Sequence, residues 1–193
     1  MTTSWRLIVI VLVGAIVAAG SFAVYMLLGL NDEDVPAQLG SIENFIPARE
    51  VKPAPLVTFL DEDGAKLTLE KFRGRVVVLN LWATWCTPCI AEMPMLDRLQ
   101  HQLENLGVVV VALSLDRGGP EAVREFYDEH GIEHLAVYVD PTMRAQGDLN
   151  TIGLPTTILI DRDGNDRGRI VGPAEWDDAA AVDLVLSMRA PPE

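Results

Sequence analysis

Short apolar runs rich in β-branched residues alternate with segments of helical spacing along most of this chain, and that alternation constrains the fold most strongly. The runs that predict strands are Leu56–Leu60, Lys66–Leu69, Val76–Leu81, Val108–Leu113, Leu135–Val139, Thr156–Ile160 and Arg167–Val171. The segments that predict helices are Cys86–Asn105, Pro120–His130, Pro141–Leu149 and Glu175–Met188. Strands that alternate with helices and finish in a hairpin predict an α/β fold, with a central mixed sheet and helices on both faces.

Composition divides the chain into three parts. Leu7–Leu30 contains 24 consecutive positions without a charge, and as a helix it would extend over roughly 36 Å, enough to cross a bilayer core of about 30 Å. The next segment mixes acidic residues with prolines, which is typical of a linker. We therefore predict one transmembrane anchor in residues 1–30, a linker in 31–52 and a folded domain in 53–193.

The residues around the apolar run predict its orientation. Arg6 precedes the run and the acidic segment Asn31–Asp34 follows it, which favours an N-terminus in the cytoplasm. The folded domain would then face the periplasm from a single-pass anchor in the cytoplasmic membrane. A cleaved signal peptide is the alternative, but cleavage after Ala23 would leave an apolar stub, Val24–Leu30. Both interpretations export the folded domain.

Charge and cysteine content exclude several classes of function. Fifteen Lys and Arg against 28 Asp and Glu leave a formal net charge of −13, which argues against binding to nucleic acid phosphates. Two cysteines cannot form a disulfide scaffold or complete a four-ligand zinc site alone. The three histidines lie far from both cysteines in the sequence. No glycine-rich GxGxxG segment follows a strand, so we expect neither a nucleotide cofactor nor a metal.

Both cysteines lie in one CxxC segment, between a predicted buried strand and a predicted helix. A helix N-terminus offers free N–H groups and a positive dipole end, which stabilise a thiolate. Cys86 is therefore the expected nucleophile, and Cys89, one turn later, is placed to resolve a mixed disulfide by closing the bond to Cys86. Thr87 and Pro88 between them would tune the reduction potential. Two structural thiols, or a captured metal, are the alternatives for such a pair.

Three segments carry a family resemblance. Asn80–Pro94, with the sequence NLWATWCTPCIAEMP, resembles the active-site segment of thioredoxin-fold proteins. Within these it is most similar to the membrane-anchored TlpA/ResA group of thiol–disulfide oxidoreductases, and Gly153–Thr157 and Gly172–Trp176 match later segments of that group. The resemblance extends from Pro53 to Met188 and implies a thioredoxin fold with an N-terminal hairpin extension.

The resemblance also implies roles for particular residues. Pro155 would be a cis-proline facing the cysteines, and Glu92 would assist proton transfer, with a solvated glutamate as the alternative. Asn80 replaces the buried aspartate of cytosolic thioredoxins, which removes one candidate proton acceptor. The residues expected to contact a substrate protein are Trp85, Thr87, Pro88, Leu154 and Pro155.

We therefore expect an enzyme that reduces disulfides in partner proteins through a Cys86/Cys89 dithiol. The resemblance implies clients in cytochrome maturation, either c-type apocytochromes or copper-site assembly proteins of cytochrome oxidase. A membrane thiol transporter would supply the electrons. The alternatives are a disulfide oxidase or isomerase, which shares the same residues but reverses the electron flow, and a non-enzymatic copper-binding module.

Overall fold

A computed structural model describes residues 44–189, which form one eight-stranded sheet and four α-helices. The strands are β1 Phe45–Pro53, β2 Thr58–Asp61, β3 Lys66–Thr68, β4 Val76–Trp82, β5 Val108–Ser114, β6 Tyr138–Val139, β7 Thr156–Ile160 and β8 Asn165–Val171. The helices are α1 Thr87–Leu103, α2 Gly119–His130, α3 Arg144–Asp148 and α4 Ala179–Ser187. The expected anchor Leu7–Leu30 lies outside the described residues. Between residues 44 and 189, no helix combines the length and the apolar character that a membrane crossing requires.

The sheet is mixed, as the alternation predicts. Its strand order is β1-β8-β7-β4-β5-β6-β2-β3. Strands β4, β5 and β6 run parallel, whereas β7 pairs antiparallel with both β4 and β8. The predicted N-terminal hairpin is present as β2 and β3, and it joins the sheet through the antiparallel pairing of β2 with β6.

The two faces of the sheet are packed by different helices. Alternate side chains of β4 point to opposite faces, because successive residues of a strand alternate. Val76 and Val78 join the cluster that contains buried side chains of α1, α2 and α4. Val77 and Leu79 join the second cluster, which includes Ala145 of α3. Helices therefore cover both faces, as predicted, and β4 is buried along its whole length.

One part of the predicted linker is a strand. Residues 45–53, which the sequence assigned almost entirely to the linker, form β1 and pair antiparallel with β8. The prediction failed because β1 is an edge strand with mostly exposed side chains, so that it has no apolar alternation. Pro47 and Pro53 fit such a strand, since an edge tolerates residues without an N–H donor.

The last helix begins later than predicted. The sequence favoured Glu175–Met188, but α4 starts at Ala179. The preceding residues are held in a loop, because the indole of Trp176 is fully buried and bonded to another element. Two other elements are shorter than predicted: β6 covers only Tyr138–Val139, and α3 only Arg144–Asp148.

Candidate active site

Three loops meet at one edge of the sheet, the edge where β4 and β8 end and β7 begins. Because β7 is antiparallel to β4, the start of β7 lies beside the end of β4, with Leu81 paired to Thr156. Thr156 also pairs with Val171 at the end of β8. The N–H of Gly172 then donates to the carbonyl of Pro155 at 2.9 Å. The CxxC loop, the proline loop and the loop after β8 therefore share this edge, although the sequence separates them by up to about ninety residues.

The two cysteines are joined in a disulfide with a Cα–Cα distance of 5.2 Å. Cys86 is the residue immediately before α1 rather than its first residue, and its carbonyl accepts a hydrogen bond from the N–H of Ile90 at 3.0 Å. Cys86 retains 7% of its surface, whereas Cys89 has none. An external thiol or disulfide therefore meets Cys86 first, at the end of the helix that stabilises a thiolate.

A buried carboxylate, that of Asp116, holds the loop that leads into Cys86. Asp116 follows β5, and its Oδ2 accepts hydrogen bonds from the N–H of Thr84 at 2.9 Å and from the hydroxyl of Ser114 at 2.8 Å. Its Oδ1 accepts a hydrogen bond from the hydroxyl of Thr84 at 2.8 Å. Thr84 lies two residues before Cys86, so Asp116 fixes the approach of the chain to the disulfide. Sequence reasoning did not identify this contact.

The residues expected to contact a substrate differ in exposure. The peptide bond between Leu154 and Pro155 is cis, as the resemblance implies. Trp85 is 63% exposed, and Thr87 and Pro88 are also exposed, but Leu154 is only half-buried and Pro155 is buried. These five residues therefore do not form one uniformly exposed surface.

Ile152 is a further candidate that sequence reasoning missed. Its side chain is 93% exposed, three residues before the cis-proline. Exposed large apolar side chains that cluster on one edge mark interaction surfaces more often than isolated ones. The available signal was an isoleucine between the predicted helix Pro141–Leu149 and the predicted strand Thr156–Ile160, where neither element needs it.

Glu92 is fully buried, not solvated. Its Oε1 accepts a hydrogen bond from Nδ2 of Asn80 at 2.7 Å. Its Oε2 accepts two, from the indole N–H of Trp176 at 3.1 Å and from the N–H of Ala174 at 3.2 Å. Burial raises the pKa of Glu92 to about 7, while the hydrogen bonds from Asn80, Trp176 and Ala174 act in the opposite direction. A carboxyl group with such a pKa can gain and lose a proton near neutral pH.

These contacts join all three segments that carried the resemblance. Nδ2 of Asn80, in the CxxC segment, donates a hydrogen bond to the hydroxyl of Thr157, in the Gly153–Thr157 segment, at 2.9 Å. Trp176 of the Gly172–Trp176 segment donates to Glu92, which belongs to the CxxC segment. The sequence identified each segment, but it did not predict these hydrogen bonds between them.

A groove of about 610 Å³ lies beside the CxxC segment, with Pro88 and Glu92 among its lining residues. Asn44, just before β1, lines the same groove. Its side-chain amide donates to the carbonyls of Val171 and Pro173, both at 3.3 Å. The described chain therefore begins at the active-site edge of the domain.

The histidines have structural neighbours. His101 and His134 stack with ring centroids 4.1 Å apart, and His130 stacks on Phe126. Within residues 44–189, no group of three or more His, Cys, Asp or Glu side chains is arranged to hold a metal ion.

Comparison with known proteins identifies the family. The family model described as Redoxin matches residues 49–186. The chain belongs to the Redoxin family. This Redoxin protein is 36% identical over 121 residues to the thiol-disulfide oxidoreductase ResA of Bacillus anthracis, and the match covers 63% of this chain and 69% of the relative. It is 32% identical over 126 residues to ResA of Geobacillus kaustophilus, covering 65% and 71%.

A solved structure agrees with the fold. The crystal structure of a thiol:disulfide interchange protein, DsbE, from Chlorobium tepidum is 29% identical to this Redoxin protein, with a TM-score of 0.64. The match covers 72% of this chain and 96% of that one. With the disulfide of Cys86 and Cys89, these relatives make this Redoxin protein a ResA/TlpA-like thioredoxin-fold thiol–disulfide oxidoreductase, and thus a redox enzyme.

Proposed function

We propose that this enzyme reduces disulfides in partner proteins, with Cys86 as nucleophile and Cys89 as resolving thiol. The observation that carries the proposal is the asymmetry of the disulfide: Cys86, the residue before α1, retains 7% of its surface, whereas Cys89 is fully buried. This asymmetry suits a mechanism in which only Cys86 forms a bond to a client.

Two electrons pass from the dithiol to the client. The thiolate of Cys86 attacks one sulfur of the client disulfide, which breaks that bond, forms a mixed disulfide and releases one client thiolate that takes up a proton from solvent. Cys89 then loses its proton to the carboxylate of Glu92 and attacks Cys86, which releases the second client thiolate. The products are a client dithiol and the Cys86–Cys89 disulfide, and Glu92 passes its proton to the departing thiolate or to water.

Geometry supports the role of Glu92. It lies three residues after Cys89 on α1, and side chains three residues apart share a helix face. Its pKa of about 7 lets it accept the proton of Cys89 and release it again. No cation contacts it among the described residues, so that burial rather than a neighbouring charge places its pKa there.

Clients would dock on the edge that carries the disulfide. Trp85 and Ile152 provide exposed apolar surface there, and the backbone of Leu154 would pair with an extended client segment. We propose clients in cytochrome maturation, either c-type apocytochromes or copper-site assembly proteins, because the relatives carry the name ResA. The domain would act in the periplasm, held by the apolar run Leu7–Leu30, and a membrane thiol transporter would reduce the disulfide again.

The reduction potential tests the direction of electron flow. The full chain in detergent is equilibrated in graded glutathione buffers, its thiols are trapped by alkylation, and the disulfide fraction is read by mass. A midpoint near that of thioredoxin, about −270 mV, supports a reductase, whereas a midpoint near about −120 mV makes the protein an oxidant. The Cys86→Ser variant is the control without a disulfide. The Cys89→Ser variant, which cannot resolve a mixed disulfide, then captures clients for identification.

A further inference from the structure

Asn80 has an unusual set of contacts for a buried amide. It is fully buried on β4, and both hydrogen bonds of its amide group leave from Nδ2, to Glu92 and to Thr157. Its Oδ1 is also buried, and within residues 44–189 it has no hydrogen-bond partner. A buried polar atom without a partner destabilises the fold, so this arrangement needs a physical reason.

Rotation of the amide by half a turn exchanges the two groups. Oδ1 would then face Oε1 of Glu92 and the hydroxyl of Thr157, and Nδ2 would take the position without a partner. The hydroxyl of Thr157 accepts in the observed orientation, but a hydroxyl can equally donate, so it serves either orientation. The observed orientation therefore suits an ionised Glu92, and the rotated one suits a Glu92 that carries a proton.

The other partners of Glu92 cannot make this exchange. The N–H of Ala174 and the indole N–H of Trp176 are donors only, and both bind Oε2. A proton on Oε2 would have to compete with these donors. Oε1 faces the amide of Asn80, the one partner among the described contacts that can change from donor to acceptor. The proton that Glu92 takes up therefore belongs on Oε1.

We propose that Asn80 is a positioning residue whose side-chain amide turns over each time Glu92 gains or loses its proton on Oε1. The NH2 group donates to the ionised carboxylate, and the carbonyl accepts from the protonated acid. Thr157 completes the second contact in both states. The proposal rests on the proton-carrying role proposed for Glu92, and it explains how a buried carboxyl group keeps a hydrogen-bond partner on both sides of its titration.

Among residues 44–189, few other charged groups lie near Glu92. On its own helix, Cys89 lies one turn earlier and is bonded to Cys86. Glu175 and Asp178 line the same groove from the loop after β8 and from the start of α4. The partners on β4 and β7, Asn80 and Thr157, carry no charge. In the oxidised protein, the pH dependence of the Glu92 carboxyl signal therefore reports mainly on Glu92 itself and on its hydrogen bonds.

NMR of the oxidised full chain in detergent micelles tests the turn directly. With Asn labelled in ¹⁵N and Glu in ¹³C, the Glu92 carboxyl carbon follows its protonation and the Asn80 amide protons report their neighbours. Above the Glu92 midpoint, cross-relaxation between the Asn80 NH2 protons and the Glu92 side chain is expected. Below the midpoint it should vanish. The same cross-relaxation at pH 5 and pH 9 would overturn the proposal.

A variant provides an independent readout. Asn80→Asp keeps the side-chain shape but removes the donor and places a second carboxyl beside Oε1, so the ionised Glu92 loses its partner there and meets a like charge. The acid dissociation constant of Glu92 should fall at least tenfold, a rise of one pH unit or more in its midpoint. Asn150→Asp, which adds the same charge at an exposed position, should leave the midpoint in place. Equal midpoints in both variants would contradict the proposal. Neither readout uses a client, so each holds whatever the direction of electron flow.

Discussion

Glu92→Gln should make the oxidised domain more stable at neutral pH but not in acid. In the unfolded chain Glu92 ionises near its ordinary pKa of 4.5, whereas burial raises that pKa to about 7 in the fold. Between these two values the folded protein holds a proton that the unfolded chain has lost. Stability therefore falls as pH rises from about 4.5 to about 7 and stays low above that range.

The magnitude follows from the size of the shift. The difference between 4.5 and about 7 is about 2.5 pH units, and at 1.36 kcal/mol for each unit it corresponds to about 3 kcal/mol. Glu92 is fully buried, so no correction for solvent screening applies. Glutamine has the same shape and no charge, and it avoids the whole penalty. Once the amide of Asn80 rotates by half a turn, the NH2 group of this glutamine can also donate to Oδ1 of Asn80, which has no partner in the described structure.

The assay is denaturant unfolding of both oxidised proteins at intervals from pH 4 to pH 8. Tryptophan fluorescence follows the domain, because Trp82 and Trp176 are fully buried. The variant should gain about 3 kcal/mol over the wild type between the two ends of this range. Glu175→Gln, at an exposed position, is the matched control and should show no such trend. A constant difference between Glu92→Gln and wild type across the range would refute the reasoning.

Three further substitutions test other parts of the site. Trp176→Phe removes one donor from Oε2 of Glu92, and since a hydrogen bond to a charged group is worth roughly 1.5–3 kcal/mol, the NMR midpoint of Glu92 should rise by about one to two pH units. Asp116→Asn leaves one acceptor oxygen where the carboxylate serves three donors, and denaturant unfolding should show a loss of about 2 kcal/mol. Ile152→Ser should slow reduction of a client protein by at least about tenfold, since burial of an isoleucine is worth about 1.5–3 kcal/mol and 1.4 kcal/mol is a factor of ten. Oxidation of the Ile152→Ser variant by a small-molecule disulfide should keep the wild-type rate. If the variant lost rate equally with the client and with the small disulfide, a docking role for Ile152 would be contradicted.

The central elements could be predicted because local pattern and tertiary position agree there. The strand Val76–Leu81 has apolar residues on both faces, as a strand covered by helices must, and the structure extends it by one residue to Trp82. Thr156–Ile160 is reproduced residue for residue. Strand β1 could not be found in this way, since its side chains are mostly exposed and its place depends on backbone pairing with β8.

The cysteine pair was likewise predictable from its local pattern, and the proline loop from the family resemblance. The contacts of Glu92 could not be predicted. Its partners Asn80 and Trp176 lie 12 and 84 residues away, and a single sequence contains no signal for which buried carboxyl meets which donor. The start of α4 was misplaced for the same reason: Trp176 has helical spacing with the residues after it, but its indole is held by Glu92.

The direction of β1 determines at which end of the domain a protein fused before this strand would lie. Phe45 pairs with Ile170, so β1 begins at the edge that carries the disulfide and ends at the far edge, where Pro53 pairs with Asn165. A reporter protein fused directly before Asn44 would therefore crowd the approach to Cys86 and compete with clients for space. For client capture, an affinity handle is better inserted in the β2–β3 turn, Glu62–Gly64. This hairpin forms the end of the strand order opposite to β1.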